Sequence, residues 1–284
     1  MKKGKPGKLS KERIPIGYVV LTFVVAFIFF FPIWMAILTS FKTDQEISKS
    51  VLALPQSINL NNYKEAIVRS QFWNAIRNSA IATFPSVIVI VICSSMGGYV
   101  IARNMRNNRF FRILDRVYVL SLMLPFQIMM IPIYQMYKSL NLLNNLFGYS
   151  LILIGISVAY PTFLYVGFVK GIPRELEESA EIDGAGPYTA FWLIVFPLLK
   201  PISMTIAVLH VMWLWNDFNM ALILLQKEAV RPLTVKQFYF FGQYTSNYGV
   251  AFAAAIMGMI PILLFFIIAQ KYIVDGIAAG TVKG

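Results

Sequence analysis

The chain has 284 residues, 58% of them hydrophobic and 13% charged, with 25 Lys and Arg against 13 Asp and Glu. So apolar a composition excludes an ordinary soluble domain of this length. One His and one Cys exclude most metal-ligand sets, and the lone Cys93 excludes an internal disulfide.

The chain opens on a basic tail, 1–14, carrying Lys2, Lys3, Lys5, Lys8, Lys11 and Arg13. No Asp, Glu, Lys or Arg then occurs from Ile14 to Phe41. A spanning helix needs roughly 20 apolar residues to cross about 30 Å of hydrocarbon, so a first transmembrane helix is expected over Pro15–Ser40. Its apolar core is longer than that of a signal peptide, and it reads as retained in the protein. A segment with the turn-like Leu52–Ser57 follows. A second uncharged run, Asn78 to Ala102, predicts helix two, with Gly97 and Gly98 where another helix can approach closely.

Arg103, Arg106, Arg109, Arg112 and Arg116 cluster after it and read as a basic loop. Helix three is expected over Ile113–Lys138, with Pro125 and Pro132, and helix four over Phe147–Lys170, with Pro161. Each proline removes a backbone donor that neighbours must compensate. Helix five is expected over Pro201–Leu225, uncharged but for Asp217, with His210 as its other titratable group. Helix six is expected over Gly249–Ile273, with Ala251, Ala255 and Gly258 at close-packing spacing. The expectation is therefore an all-α integral membrane protein with six transmembrane helices over 15–273 and a C-terminal tail, 274–284. The formal charge of +12 is explained by orientation rather than by nucleic acid. With six spans both basic clusters fall on one face, which the positive-inside rule makes cytoplasmic, as it does both termini.

Between helices four and five, in 171–200, charge is placed unusually. Five of the 13 acids fall between Glu175 and Asp183. At 100° per residue, Leu176, Ser179, Ala180 and Asp183 share one sector and Glu175, Glu177, Glu178 and Glu181 the rest. Pro173 suits a first helical position and Gly184 a left-handed stop. Gly186-Pro187 suits the start of a second short helix, with Tyr188, Phe191 and Trp192 toward the membrane interface. Such an element is either a solvated acidic loop or a docking helix for a partner's groove.

Glu178-Ser179-Ala180, Gly184 and Ile194-Val195-Phe196-Pro197 resemble the EAA pattern (EAA-x3-G-x9-I-x-L-P) of ABC importer permeases, with Ser179 and Phe196 as like-for-like departures. Asn78-Ser79, Leu124–Gln127 with Ile131-Pro132, Trp215-Asn216-Asp217, Arg231–Thr234 and the C-terminal DGIAAGTVKG extend the resemblance to the maltose-type sugar branch, over nearly the whole chain. The resemblance implies a permease in the cytoplasmic (inner) membrane of a prokaryote. It implies a second homologous permease, two ATPase subunits and an extracytoplasmic sugar-binding protein as partners. The coupling helix is carried by Glu178, Ser179, Ala180, Asp183 and Gly184. No cofactor is expected on this chain. ATP and Mg belong to the ATPase, since the only Gly-Lys pairs, Gly4-Lys5 and Gly7-Lys8, lack the spacing of a phosphate loop. No catalytic or metal residues are expected.

Sugar sites combine aromatic faces with planar polar groups, which makes Gln127, Tyr134, Trp213, Trp215, Asn216 and Asp217 candidates for the substrate path. Trp215 and Asp217 equally suit an interfacial anchor and a solvated helix end, and Gln127 suits a partner for the backbone freed by Pro125. His210 suits a helix–helix hydrogen bond better than a proton relay, although an intramembrane ionisable group is a functional candidate by default. An ion-coupled transporter is the alternative, but it calls for paired acids within spans and only Asp217 is present.

In a Cys93→Ala background, single cysteines at Ser48 and Ser246 are expected to react with an impermeant thiol reagent from outside, and one at Ser10 is not. Reversed labelling overturns the orientation.

Overall fold

The structure is a computed structural model that describes residues 15–243 and 247–281, and the side chains of 15–240 and 247–273. The basic residues Lys2 to Arg13, Ser10 and Ser246 lie outside the described residues, as do the side chains of the C-terminal tail. Among the described residues the secondary structure is helical, with no strand.

The first helix, α1 (Ile16–Ser40), buries only Thr39 and Ser40 within the protein and is otherwise apolar and largely exposed. Two short helices follow, α2 (Asp44–Lys49) and α3 (Asn61–Ser70). The capping box Thr43/Glu46 starts α2, satisfying donors at both ends of the box. The long α4 (Phe72–Asn104) leads through a four-residue turn, 105–108, into α5 (Arg109–Ser121). Asn108 caps α5 by accepting from Phe110 N at 2.9 Å. The arginine cluster is therefore largely helical rather than a loop, with Arg109, Arg112 and Arg116 on the first turns of α5.

Three of the expected helices are broken. Helix three becomes α5 and α6 (Phe126–Ser139), bent by 102°. Pro125 stands just before α6, where it cannot donate and biases Leu124 away from helical geometry. Helix four becomes α7 (Leu146–Ser157) and α8 (Ala159–Lys170), bent by 45°. The break falls beside Ser157, four residues before Pro161, where a proline ring crowds the carbonyl. After α9 (Glu175–Ile182), α10 (Pro187–Ala190) runs through a π-turn, Phe191–Val195, into α11 (Phe196–Leu198). A 75° bend then leads into α12 (Lys200–Trp215). Helix five stops at Trp215 and resumes as α13 (Asn219–Leu224). Beyond a 3-10 turn at Glu228–Val230 come α14 (Leu233–Gln243) and α15 (Tyr248–Thr281). The last helix outruns its expected end at Ile273, so the tail begins helical.

By length and composition α1, α4 and residues 248–273 of α15 each suffice to cross a membrane, and the three bent pairs bring the number to as many as six. The spine is α4. Its Phe72 and Ala75 join a core with α3, α14 and α15, its Ala82, Val87 and Ile90 join a second with α7, α12 and α13, and its Met96, Tyr99 and Ala102 border a third around Tyr165, Phe191 and Ile206.

The close approach expected at Gly97-Gly98 is present. A Cβ on Gly98 would stand 2.5 Å from Tyr165 Cβ and 3.2 Å from the Thr162 and Val166 backbone on α8. On α15, Gly258 lies against the Gln237 side chain of α14, and Gln237 Nε2 donates to Ala254 O at 3.1 Å. Gly98→Val is expected to lower the yield of folded protein and to destabilise it by about 1–3 kcal/mol, the usual range for overpacking. Gly97→Ala, whose new methyl would meet only Thr162 Cγ2 at 4.0 Å, is expected to be nearly neutral in the same thermal-unfolding assay.

Candidate functional site

The acidic segment folds as expected into a short helix, α9, though it starts at Glu175 behind Arg174, with Pro173 outside it. Its C-terminus is closed by Gly184 at φ +85°, with Ala185 N donating to Ala180 O at 2.9 Å and Gly184 N to Glu181 O at 3.0 Å. These two bonds form the Schellman arrangement, which needs a left-handed residue and so favours glycine. Ser179 Oγ donates back to Glu175 O at 2.7 Å. Glu178, Ser179, Asp183 and Gly184 are exposed and Ala180 is half-buried. Ile182 is 87% exposed.

One acid departs from the expected solvated rim. Glu177 is buried, and its carboxylate accepts from Tyr99 Oη at 2.8 Å and from Arg103 Nε at 2.9 Å, with a second bond from Arg103 Nη2. Arg103 Nη2 also donates to Ile172 O at 3.0 Å, and Arg174 donates to the Arg103 carbonyl. Helical spacing placed Glu177 among the other acids, and no pattern in the chain links it to Arg103, 74 residues away. Phe191 also departs. It is buried against Tyr99, with ring centroids 5.2 Å apart, rather than turned to the membrane interface.

At the other end of α4, stretches that were separate in the sequence come together. Asn78 Nδ2 donates to Ala229 O at 2.9 Å and to Arg231 O at 3.2 Å. Ser79 Oγ accepts from Leu233 N at 3.0 Å, and Thr234 Oγ1 donates to Asp217 O at 2.8 Å. Arg231 lies 4.0 Å from the centre of the Tyr239 ring. Lys236 Nζ donates to Glu228 Oε1 at 2.8 Å, and this bond with the ammonium charge holds the Glu228 carboxyl below its ordinary range.

Between these ends, the three breaks converge on two cavities. The larger, about 390 Å³, is lined among others by Ser121, Phe126, Ser157, Tyr160, His210 and Trp213. The smaller, about 270 Å³, is lined by Phe126, Ser157, Trp213 and Asp217 among others. Trp213, 52% exposed, lines both. Its ring centroid is 5.6 Å from that of Tyr160 and 5.0 Å from that of His210. Of the path candidates, Trp213 and Asp217 therefore meet. Gln127 and Asn216 are exposed, Tyr134 is half-buried, and none of the three lines either cavity. Asn216 Nδ2 donates to Met212 O of its own helix at 2.8 Å.

Asp217 is no solvated terminus. Its Oδ2 accepts from Tyr149 Oη at 2.8 Å and from Ala221 N at 3.1 Å, fixing the start of α13. Trp215 is buried near Phe84 and anchors no interface. His210 is fully buried, with Nδ1 pairing with Ile206 O of its own helix at 2.9 Å and the backbone of Ser157, on α7, close to its ring. Tyr160 was missed in the sequence, where an isolated tyrosine beside a proline carries no signal of its own. No group of three His, Cys, Asp or Glu able to hold a metal occurs among the described residues.

A multi-pass helical chain with an exposed terminal helix and cavities at broken spans is a membrane transport subunit. Residues 94–278 match the family of binding-protein-dependent transport system inner membrane components, and the chain belongs to that family, the permeases of ABC importers. It is 36% identical over 271 residues to the multiple sugar-binding transport system permease protein MsmG of Streptococcus mutans, covering 94% of this chain and 96% of that one. It is 34% identical over 269 residues to the melibiose/raffinose/stachyose import permease protein MelC of Bacillus subtilis, covering 93% and 95%. Among solved structures, a chain of a bacterial ABC transporter involved in the import of the acidic polysaccharide alginate superposes with a TM-score of 0.79 at 25% identity, covering 94% of this chain and 99% of that one.

Asn78→Leu, of similar bulk, leaves the Arg231 carbonyl without its side-chain donor and Ala229 O with Asn74 Nδ2 alone, at 2.7 Å. Ala229 is exposed and Arg231 half-buried, so the loss is that of net hydrogen bonds, about 0.5–1.5 kcal/mol each. Proteolysis within 226–232 is expected to accelerate by several-fold in this variant, with membrane insertion unchanged.

Proposed function

We propose that this chain is one half of the membrane path of a sugar importer driven by ATP. It crosses the cytoplasmic membrane six times with both termini inside, pairs with a second homologous permease, rests on two ATPase subunits and receives sugar from an extracytoplasmic binding protein. ATP and Mg bind to the ATPase. This chain supplies the docking element and part of the path.

The observation that carries the reading is the form of α9. It is a short helix closed by Gly184, with Glu178 and Ser179 exposed and Ala180 half-buried rather than absorbed into the fold, at the end of α4 where the arginines lie. Exposed Leu176 and Ile182 beside Glu178 and Asp183 offer a partner both an apolar contact and charge. A helix of this kind suits a groove in an ATPase subunit, and closure of the ATPase pair would then switch the path as a rigid body. Sugar as cargo is supported by the names of the relatives and by the larger cavity. There the aromatic faces of Tyr160 and Trp213 stand beside the hydroxyls of Ser121 and Ser157, in the size range of small-ligand sites. Discontinuous helices around a site within the membrane are the usual way to bring backbone polar groups to a substrate.

The test is uptake of labelled sugar by proteoliposomes holding the whole complex. A β-branched residue at Gly184 meets about 1–2 kcal/mol of left-handed strain, which re-aims α9 without unfolding the protein. Gly184→Val and Glu178→Lys are expected to abolish uptake at near-normal expression, with loss of bound ATPase or of stimulated hydrolysis, while Glu181→Gln is mild. Trp213→Ala is expected to raise the half-saturating sugar concentration at least tenfold with the ATPase still bound. Normal uptake in the first two variants removes the docking assignment. Uptake by the chain alone under an ion gradient would replace the importer reading with a secondary transporter.

A further inference from the structure

The bond set around Glu177 has a consequence for how force enters the membrane. Seven of the eight residues of α9 are exposed or half-buried, and Glu177 alone is buried. Its carboxylate takes a two-pronged guanidinium contact from Arg103 and a hydroxyl from Tyr99, two residues one turn apart on α4. The same guanidinium reaches Ile172 O, the turn leaving α8, and Arg174 returns a bond to the Arg103 carbonyl. Two helical neighbours and the entry turn of α9 are therefore fastened at one point. Two guanidinium nitrogens converge on Glu177 Oε1 while the Tyr99 hydroxyl holds Oε2, so both carboxylate oxygens are fixed, which a lysine or a single hydrogen bond does not achieve.

Resting on the importer reading, we propose that Glu177, Arg103 and Tyr99 are positioning residues that convert movement of the docking helix into movement of α4. Covalent continuity alone would transmit such movement poorly, because Gly171–Arg174 before α9 and Asp183–Gly186 after it are turns, not helix. The buried contact bypasses both turns. From Arg103 the path is continuous: α4 runs as one helix through Pro85, Gly98 brings its backbone against Tyr165 of α8, and its middle third packs in the core beside α7, α12 and α13, the helices around the cavities. A push on α9 thus arrives at the broken spans through one continuous, packed helix.

A buried ion pair is weak ground for stability, since apolar replacements of similar volume often hold a fold as well. The positioning role predicts something a structural role does not, namely an assembled complex that hydrolyses ATP without moving sugar. The experiment uses the whole complex in proteoliposomes, with three readouts: ATPase co-purification, ATP turnover stimulated by the sugar-loaded binding protein, and sugar moved per ATP. In Glu177→Gln and in Arg103→Lys the ATPase is expected to remain bound. Sugar moved per ATP is expected to fall at least tenfold. In a Cys93→Ala background, the pair Glu177→Cys with Arg103→Cys is expected to be uncoupled when reduced. A short bis-methanethiosulfonate bridge between the two thiols is expected to restore most of the coupling.

Unchanged sugar per ATP in Glu177→Gln and Arg103→Lys overturns the proposal, as does a bridged pair that stays uncoupled. Loss of ATPase binding in both single variants and in the cysteine pair assigns the contact to folding and overturns it too. Failure of the unsubstituted complex to move sugar would instead count against the importer reading itself.

Discussion

Water does not reach the middle of a bilayer, so every peptide N–H and C=O there must find its partner within the protein. The described structure follows from that constraint. Where the helices are continuous, as in α1, α4 and α15, the backbone satisfies itself except around the single interior proline of each, Pro32, Pro85 and Pro261, and the outward side chains are free to be apolar. Where they break, the break must be enclosed and its carbonyls and amides supplied. Ser121 Oγ donates to Tyr118 O at 2.7 Å beside the first break. At the second, Val158 O takes bonds from Thr162 Oγ1 at 2.7 Å and from Ser94 Oγ at 3.2 Å. At the third, Asp217 caps α13 and its carbonyl is met by Thr234. The two cavities lie where the three breaks come together.

The same economy explains why α4 carries so many small buried residues. Ser79, Ala82, Ser86, Ser94 and Gly98 recur about once per turn on the face against its neighbours. Small side chains let backbones approach, and their hydroxyls reach neighbouring carbonyls such as Ser150 O and Val158 O. Asn78 and Arg103, about 37 Å apart along the helix axis, then fasten the two ends. One gathers the segment around Ala229 to Leu233, and the other gathers α9 and the turn after α8. In the proposed reading, delivery and docking lie at opposite ends of this axis, with the cavities between.

Much of this was legible from the residues. Charge-free runs long enough to cross the bilayer placed the helices, because apolarity over about 20 residues has few other uses. The acidic cluster with Gly184 nine residues behind its start announced a short capped helix, and Gly97-Gly98 announced a close approach. Local chemistry decides these features, so local sequence reports them. The breaks were less legible. Proline marked two of the three spans, but Pro132 and Pro161 sit inside helices, so the residue type alone does not say where the chain will turn.

What the sequence determined by itself was the class of protein, the helical runs and the short capped helix at 175–182, since hydrophobic length, charge placement and capping act over a few turns of chain. The tertiary structure alone decided which polar residues face one another. Glu177 looked like its acidic neighbours until Arg103 and Tyr99 met it, and nothing near Asp217 in the chain announced Tyr149, whose hydroxyl holds its carboxylate. Tyr160 acquired meaning only beside Trp213. In each case the partner lies tens of residues away, and a buried hydrogen bond is specified by the meeting of two surfaces rather than by any spacing along the chain. The physical reason is that burial makes an unpaired polar group costly, and burial is a property of the packed fold.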